Sequence, residues 1–152
     1  MGDRWYMKFK NKIYIEYNDI LSMCQNLEYD LSKFKPDIIV GITRGGLLPA
    51  LHLSHHLDVP MRTIQWQTRD AARCEHNEEV QNFMDHDAKV AFVDDINDTG
   101  RTFLEISKRY HGERPNVMFT SLVKKTETNY TKASAALTVD DERWIVFPWE
   151  KI

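Results

Sequence analysis

The stretch VAFVDDINDTGRTF, Val90 to Phe103, constrains this chain more than any other. An apolar run with the character of a buried strand delivers two adjacent carboxylates, Asp94 and Asp95, then a third, Asp98, and then a small-residue loop that opens a helix. A strand, loop and helix in that order belong to an α/β sheet, in which ligands bind beyond the carboxyl ends of the strands. Asp98-Thr99-Gly100-Arg101-Thr102 can aim successive backbone N–H groups and the Thr99 and Thr102 hydroxyls at one anion. Gly100 permits close approach and the helix dipole adds its positive end, which suits a phosphate. Neither GxxxxGK[ST] nor GxGxxG is present, so nucleoside triphosphate hydrolysis and hydride transfer both lose ground. Asp94 and Asp95 beside a phosphate would repel it unless they meet hydroxyl donors or a bridging cation. A ribose diol with Mg²⁺ meets both needs, and the ligand suggested is a sugar phosphate.

The rest of the chain fits one domain built the same way. Its 152 residues, 42% of them hydrophobic, supply one core and not two. Asp37 to Ile42 reads as a buried strand, Thr43-Arg44-Gly45-Gly46 as a glycine turn, and Leu47 to Leu57 as a helix. Upstream, Tyr14 to Tyr17 reads as a short strand. Asn18 or Asp19 then caps an amphipathic helix carrying Ile20, Leu21, Cys24, Leu27 and Leu31, which ends before Pro36. Further strands are expected at Met61–Trp66, Lys89–Val93, Val117–Val123 and Trp144–Phe147, with a helix at Phe103–Tyr110. The polar stretch Gln67 to Asp87, interrupted only by Val80, Phe83 and Met84, reads as a long loop of the kind that serves as a lid. Alternating strands and helices predict an α/β fold with a central, largely parallel sheet flanked by helices.

Charge and cysteine content narrow the function further. Twenty Lys and Arg against 23 Asp and Glu give a net charge of −3 with no basic run, which disfavours nucleic acid or an anionic membrane as partner. The longest apolar runs are short and MGDRWYMKFK lacks a signal-peptide core, so a cytoplasmic protein is expected. Cys24 and Cys74 show no metal or disulfide spacing. His52, His55 and His56 share a helical face, but the sequence offers no completing carboxylate or thiolate beside them, and they are read as exposed helix surface without a role.

VAFVDDINDTGRTF resembles the phosphoribosyl-pyrophosphate (PRPP) binding motif of type I phosphoribosyltransferases. DIIVGITRGGLLP resembles the pyrophosphate loop of the same family, and YIEYNDILSMCQ its N-terminal strand and helix. Lys124 and DERWIVFPWE are similar to the purine-recognition elements of the small bacterial xanthine-guanine members. The resemblance implies the type I fold over residues 1–152, with a small hood from about residues 1–17 and 138–152 and a candidate lid at 67–79. It implies that Asp94 and Asp95 hold the ribose hydroxyls and Mg²⁺, and that Asp98, Thr99, Gly100, Arg101 and Thr102 hold the 5′-phosphate. Thr43, Arg44, Gly45 and Arg69 would contact pyrophosphate, with Arg73 also on the lid. Asp98 would act as the catalytic group near N7 of the base. Lys124, Trp144 and Ile145 would bind the base, although Lys124 is followed by Lys125 where the family has a proline, so which of the two lysines reaches the base stays open. Asp95 and Glu150 would hold metal. Asn97 stands where the family commonly has an apolar or small residue.

The activity implied is transfer of the phosphoribosyl group from PRPP to a 6-oxopurine (guanine, hypoxanthine or xanthine), as in purine salvage, by a cytoplasmic homodimer or homotetramer using Mg²⁺. Two alternatives use the same residues: a non-catalytic sensor of PRPP or a nucleotide, and a phosphoribosyltransferase for adenine or a pyrimidine. Negative charge, Asp98 and the lid argue against the sensor. A receiver domain also carries adjacent acids, but after its first strand and not in the second half of the chain. Trp149 reads as a core aromatic.

Overall fold

The computed structural model describes residues 11–67, 76–110, 113–140 and 142–150. In chain order the elements are β1 (Lys12–Tyr14), α1 (Tyr17–Phe34), β2 (Ile38–Thr43), α2 (Leu47–Leu57), β3 (Met61–Gln65) and α3 (Glu78–Asp85). They continue with β4 (Val90–Asn97), α4 (Arg101–Arg109), β5 (Val117–Lys125), β6 (Ser134–Val139) and β7 (Trp144–Val146). Five strands form one sheet in the order β3-β2-β4-β5-β6, every neighbouring pair parallel. β1 and β7 pair, also parallel, in a separate two-stranded sheet.

The period of two along β2 and β4 sorts the core into two layers. Ile39, Ala91 and Val93 pack on one face with Cys24, Leu27 and Leu31 of α1 and Ala50 and Leu53 of α2. Ile38, Val40, Ile42, Val90 and Phe92 pack on the other with Val80 and Met84 of α3 and Phe103 and Ile106 of α4. Helices therefore cover both faces, as buried parallel strands require. The chain leaves β2 through α2 on one face and β4 through α4 on the other, and these two strands are neighbours. A crevice opens between their carboxyl ends, the usual ligand position in an open α/β sheet.

Several local expectations are corrected. α1 is capped by Glu16, not Asn18 or Asp19; Asp19 closes a capping box by accepting from Glu16 N at 2.8 Å. The short strand expected at Tyr14–Tyr17 lies earlier, at Lys12–Tyr14, because its partner is β7. The polar stretch after Gln67 contains α3, whose Asn77 cap accepts from Val80 N at 3.1 Å and donates to Thr63 O at 3.0 Å. β6 forms the sheet edge where no strand was expected, so residues 138 and 139 belong to the main sheet. Residues 68–75, with Arg69, Arg73 and most of the expected lid, lie outside the described residues.

Candidate active site

β4 runs four residues beyond its expected end and carries Asp94 and Asp95 within the strand, Asp95 lining the crevice. Both are half-buried. Asp95 N donates to Asp94 Oδ1 at 2.8 Å, which fixes the two side chains relative to each other. Burial, then the neighbouring Asp95 charge, pushes the Asp94 carboxyl well above the ordinary carboxylate range. Asp95 is raised as well, first by burial, with the charge of Glu150 adding to it. Each is raised because burial disfavours the charged form, which hydroxyl donors or a cation would stabilise.

The glycine turn of β2 meets this pair directly. A Cβ placed on Gly45 would overlap the Asp95 carboxylate, with Oδ1 at 2.8 Å, so only glycine allows the turn and the acid to touch. The Thr43–Arg44 peptide is cis. The Thr43 hydroxyl donates to Ile64 O at 3.1 Å and ties the turn to β3. Arg44, Gly45, Asp95, Trp144 and Glu150 all line one cavity of about 1000 Å³.

The phosphate-type loop lies on the other side of the acids. Gly100 stands at φ 88° as the N-cap of α4, a left-handed conformation that favours glycine, and a Cβ there would also press on Tyr130 N and Thr128 Oγ1. Arg101 N donates to Thr99 Oγ1 at 3.3 Å, and Asn129 N donates to Thr99 O at 2.9 Å. Arg101 itself turns back to Glu105, Nε to Oε1 at 2.8 Å, so its guanidinium braces the first turn of the helix. Thr102 occupies that same turn. Asp98, Thr99, Lys125, Trp144, Ile145 and Glu150 line a second cavity of about 690 Å³.

Two lysines end β5, and their ammonium groups go different ways. Lys124 Nζ donates to Ala133 O at 3.1 Å, while Lys125 Nζ donates to Arg143 O at 2.8 Å, and Lys125 is the one along the cavity. Trp144 is 56% exposed although it is large and aromatic, and both it and Glu150 line the two cavities. Glu150 Oε2 accepts from Phe147 N at 2.9 Å. Trp149 stacks on Phe147, centroids 5.0 Å apart.

A family described as the phosphoribosyl transferase domain matches residues 11–151. The chain belongs to the phosphoribosyltransferase family. A xanthine-guanine phosphoribosyltransferase of Chromohalobacter salexigens is 30% identical over 97% of this chain and 87% of its own length. One of Cereibacter sphaeroides is 28% identical over 74% of this chain and 68% of its own. A purine phosphoribosyltransferase structure from Pyrococcus horikoshii superposes with a TM-score of 0.77 at 28% identity, covering 93% of this chain and 96% of that one. The central parallel sheet flanked by helices is thus the type I phosphoribosyltransferase fold. One feature of this phosphoribosyltransferase was not legible in its sequence: Asn97, 2% exposed, donates to Tyr130 O at 3.0 Å and accepts from Thr128 Oγ1 at 2.7 Å. It fastens the segment behind the phosphate-type loop, and no motif signals a contact of that range. The histidines are corrected too, because α1 supplies the carboxylate, Glu28, that the sequence pattern did not reveal. Among the described residues no helix is long and apolar enough to cross a membrane.

Proposed function

We propose that this phosphoribosyltransferase transfers the 5-phosphoribosyl group from PRPP to a 6-oxopurine, giving a nucleoside 5′-monophosphate and pyrophosphate. The observation that carries the reading is that the two cavities share Trp144 and Glu150, with Asp95 lining one and Asp98 the other. A displacement at C1 of the sugar needs such a plan: entering base on one side, departing pyrophosphate on the other, and the ribose between them over the carboxylates.

In this reading the N–H groups of Thr99 to Thr102 hold the 5′-phosphate at the N-terminus of α4. Asp94 and Asp95 accept hydrogen bonds from the ribose hydroxyls, and Arg44 with the Gly45 backbone holds pyrophosphate. Trp144 stacks on the base, the Ile145 backbone meets its edge, and Lys125, which lines the cavity as Lys124 does not, turns from Arg143 O to donate to the 6-oxo group. Asp98 accepts the proton that N7 of the base loses as the new bond forms at N9. The cleft then holds the reacting groups in line and limits access of water to a sugar with developing positive charge.

Asp95 and Glu150 are hard oxygen donors lining the same cavity, and the charge of Glu150 is among the causes that raise Asp95, so the pair suits a hard dication such as Mg²⁺. Mg²⁺ there would neutralise the charge of the departing pyrophosphate. We also propose self-association and a cytoplasmic location. Tyr17, Leu47, Leu48 and Leu51 stand exposed along α1 and α2 and line the outer part of the cavity that holds Arg44 and Gly45, so a second copy seated on them would border the site.

The test is product formation from PRPP and Mg²⁺ with guanine, hypoxanthine, xanthine, adenine and uracil offered separately, and Asp98→Asn as control. Turnover of a 6-oxopurine that collapses in the variant is the expected result. Tight PRPP binding with no turnover of any base would place the non-catalytic sensor first instead.

A further inference from the structure

His52 and His56 lie four residues apart on α2, so they share one face of the helix and stand one turn apart. α1 brings Glu28 to that face. Glu28 Oε1 stands 2.8 Å from His52 Nε2 and 3.1 Å from His56 Nδ1, and the two imidazoles stack with centroids 4.0 Å apart at 18°. Three ligand atoms from two helices thus converge on one point, the only such group of three His, Cys, Asp or Glu among the described residues. None of the three lines either cavity of the candidate active site.

We propose that Glu28, His52 and His56 form a binding site for a borderline transition-metal dication, Zn²⁺ in the first instance, that clamps α1 to α2. Two imidazoles and one carboxylate are the donor set such ions take, and two histidines at this helical spacing with a further acid are a recurrent zinc arrangement. The distances fit. Metal–ligand bonds of about 2.0–2.2 Å at tetrahedral angles hold neighbouring donor atoms roughly 3.3–3.5 Å apart, so Glu28 Oε1 needs to draw back only slightly from each ring nitrogen to admit the ion.

Burial fits as well. The His52 and Glu28 side chains are 16% and 25% exposed, which fixes them, while His56 at 52% leaves an entry path and room for a water in the fourth position. His52 Nε2 hydrogen-bonds Glu28 Oε1, and His56 Nδ1 stands beside the same oxygen. With the ring protons on the other nitrogens, and the stacked rings turned apart about χ2 so that both lone pairs meet one ion, these atoms become ligands without any change of fold. The ion would act on structure: α2 begins directly after the Arg44-Gly45 turn, so a clamp on its second half restrains the element that carries that turn.

Co²⁺ and Zn²⁺ titrations of the full chain, freed of metal by chelation and held in excess Mg²⁺ to occupy oxygen-only sites, test this. One equivalent of Co²⁺ should give the visible bands of a nitrogen-and-oxygen site, and Zn²⁺ should raise Tm. Glu28→Gln and His56→Asn should each weaken both by well over the roughly 10–100-fold that the loss of an outer partner costs, with phosphoribosyl transfer by the protein held in Mg²⁺ without the transition metal unchanged. His56 is half-exposed, so His56→Asn keeps the test independent of any folding defect at the more buried His52. Absence of one-equivalent binding in the wild type would overturn the proposal. Binding that persists in both variants, or a sulfur-to-cobalt band, would overturn it equally by placing the ion elsewhere.

Discussion

Gly45 and Asp95 touch across the crevice, the glycine lending its bare Cα to the space that the carboxylate fills. One belongs to the turn after β2 and the other to β4, so their contact sets how far apart the pyrophosphate and ribose positions lie. Gly45→Ala requires Asp95 to move, whatever the backbone conformation. A displacement of about 1 Å in a positioning group costs on the order of 10²-fold in rate. We expect kcat/KM for PRPP to fall by about that factor while Tm changes little, measured by steady-state kinetics at varied PRPP beside a thermal melt.

Asn97 connects β4 to the segment that backs the phosphate-type loop, and it does so with two hydrogen bonds out of contact with water. Asn97→Leu keeps the volume and removes both partners, leaving the Thr128 hydroxyl and Tyr130 carbonyl short of a bond. An orphaned buried polar group costs about 1–3 kcal/mol, which for a chain of this length lowers Tm by roughly 2–12 °C. KM for PRPP should rise several-fold as well, because Thr128 and Tyr130 press on Gly100. A melt with unchanged Tm would show that the segment is held by other contacts.

What could be read in advance, and what could not, follows from the range of the interactions. The β4 segment was legible because ligand chemistry puts acids and a glycine loop where packing alone would not, and because its strand and helix are contiguous in sequence. α3 was missed although Val80 and Met84 are both fully buried. Its apolar face is only one turn long, and its stability comes from Asn77 reaching Thr63 and Tyr110, contacts that no window of sequence contains. β6 escaped for a related reason: Ala135, Leu137 and Val139 pair with β5 at the sheet edge, where half the strand faces solvent and alternation is weak. Glu28 and His52, 24 positions apart, could not be connected without the packing of α1 on α2.

The two lysines at the end of β5 separate by their partners. Lys125 Nζ is bound to Arg143 O beside the cavity that it lines with Trp144 and Ile145, whereas Lys124 Nζ is bound to Ala133 O and lines neither cavity. Removing a charged donor to the base forfeits about 1.5–3 kcal/mol, or roughly 10–150-fold. Lys125→Ala should therefore raise KM for the 6-oxopurine by a factor in that range with PRPP affinity unchanged. Lys124→Ala should act on Tm and leave KM for the base near its original value. The opposite pattern would return the base contact to Lys124.

Asp94 and Asp95 together give the apo protein a pH dependence whose sign is fixed by burial. Their carboxyls are raised in the folded state, so the native protein keeps these protons to higher pH than the unfolded chain, in which an aspartate titrates near 3.9. Their contribution to stability is thus complete below about pH 3.9 and is lost as pH rises toward and through the folded values. Asp94→Asn removes the charge but keeps the shape. It should raise the Tm of the apo protein by the equivalent of about 0.5–2 kcal/mol at pH 7.5, with the gain shrinking as pH is lowered, at the cost of ribose binding and turnover. Mg²⁺ with PRPP should restore stability to the wild type more at high pH than at low, since hydroxyl donors and a cation stabilise the charged form. Binding at pH values below the folded carboxyl range should release protons, which calorimetry in two buffers of different ionisation enthalpy measures directly. A Tm for Asp94→Asn that falls below wild type at pH 7.5 would mean that the ionised carboxylate holds the strand end together through contacts stronger than its desolvation.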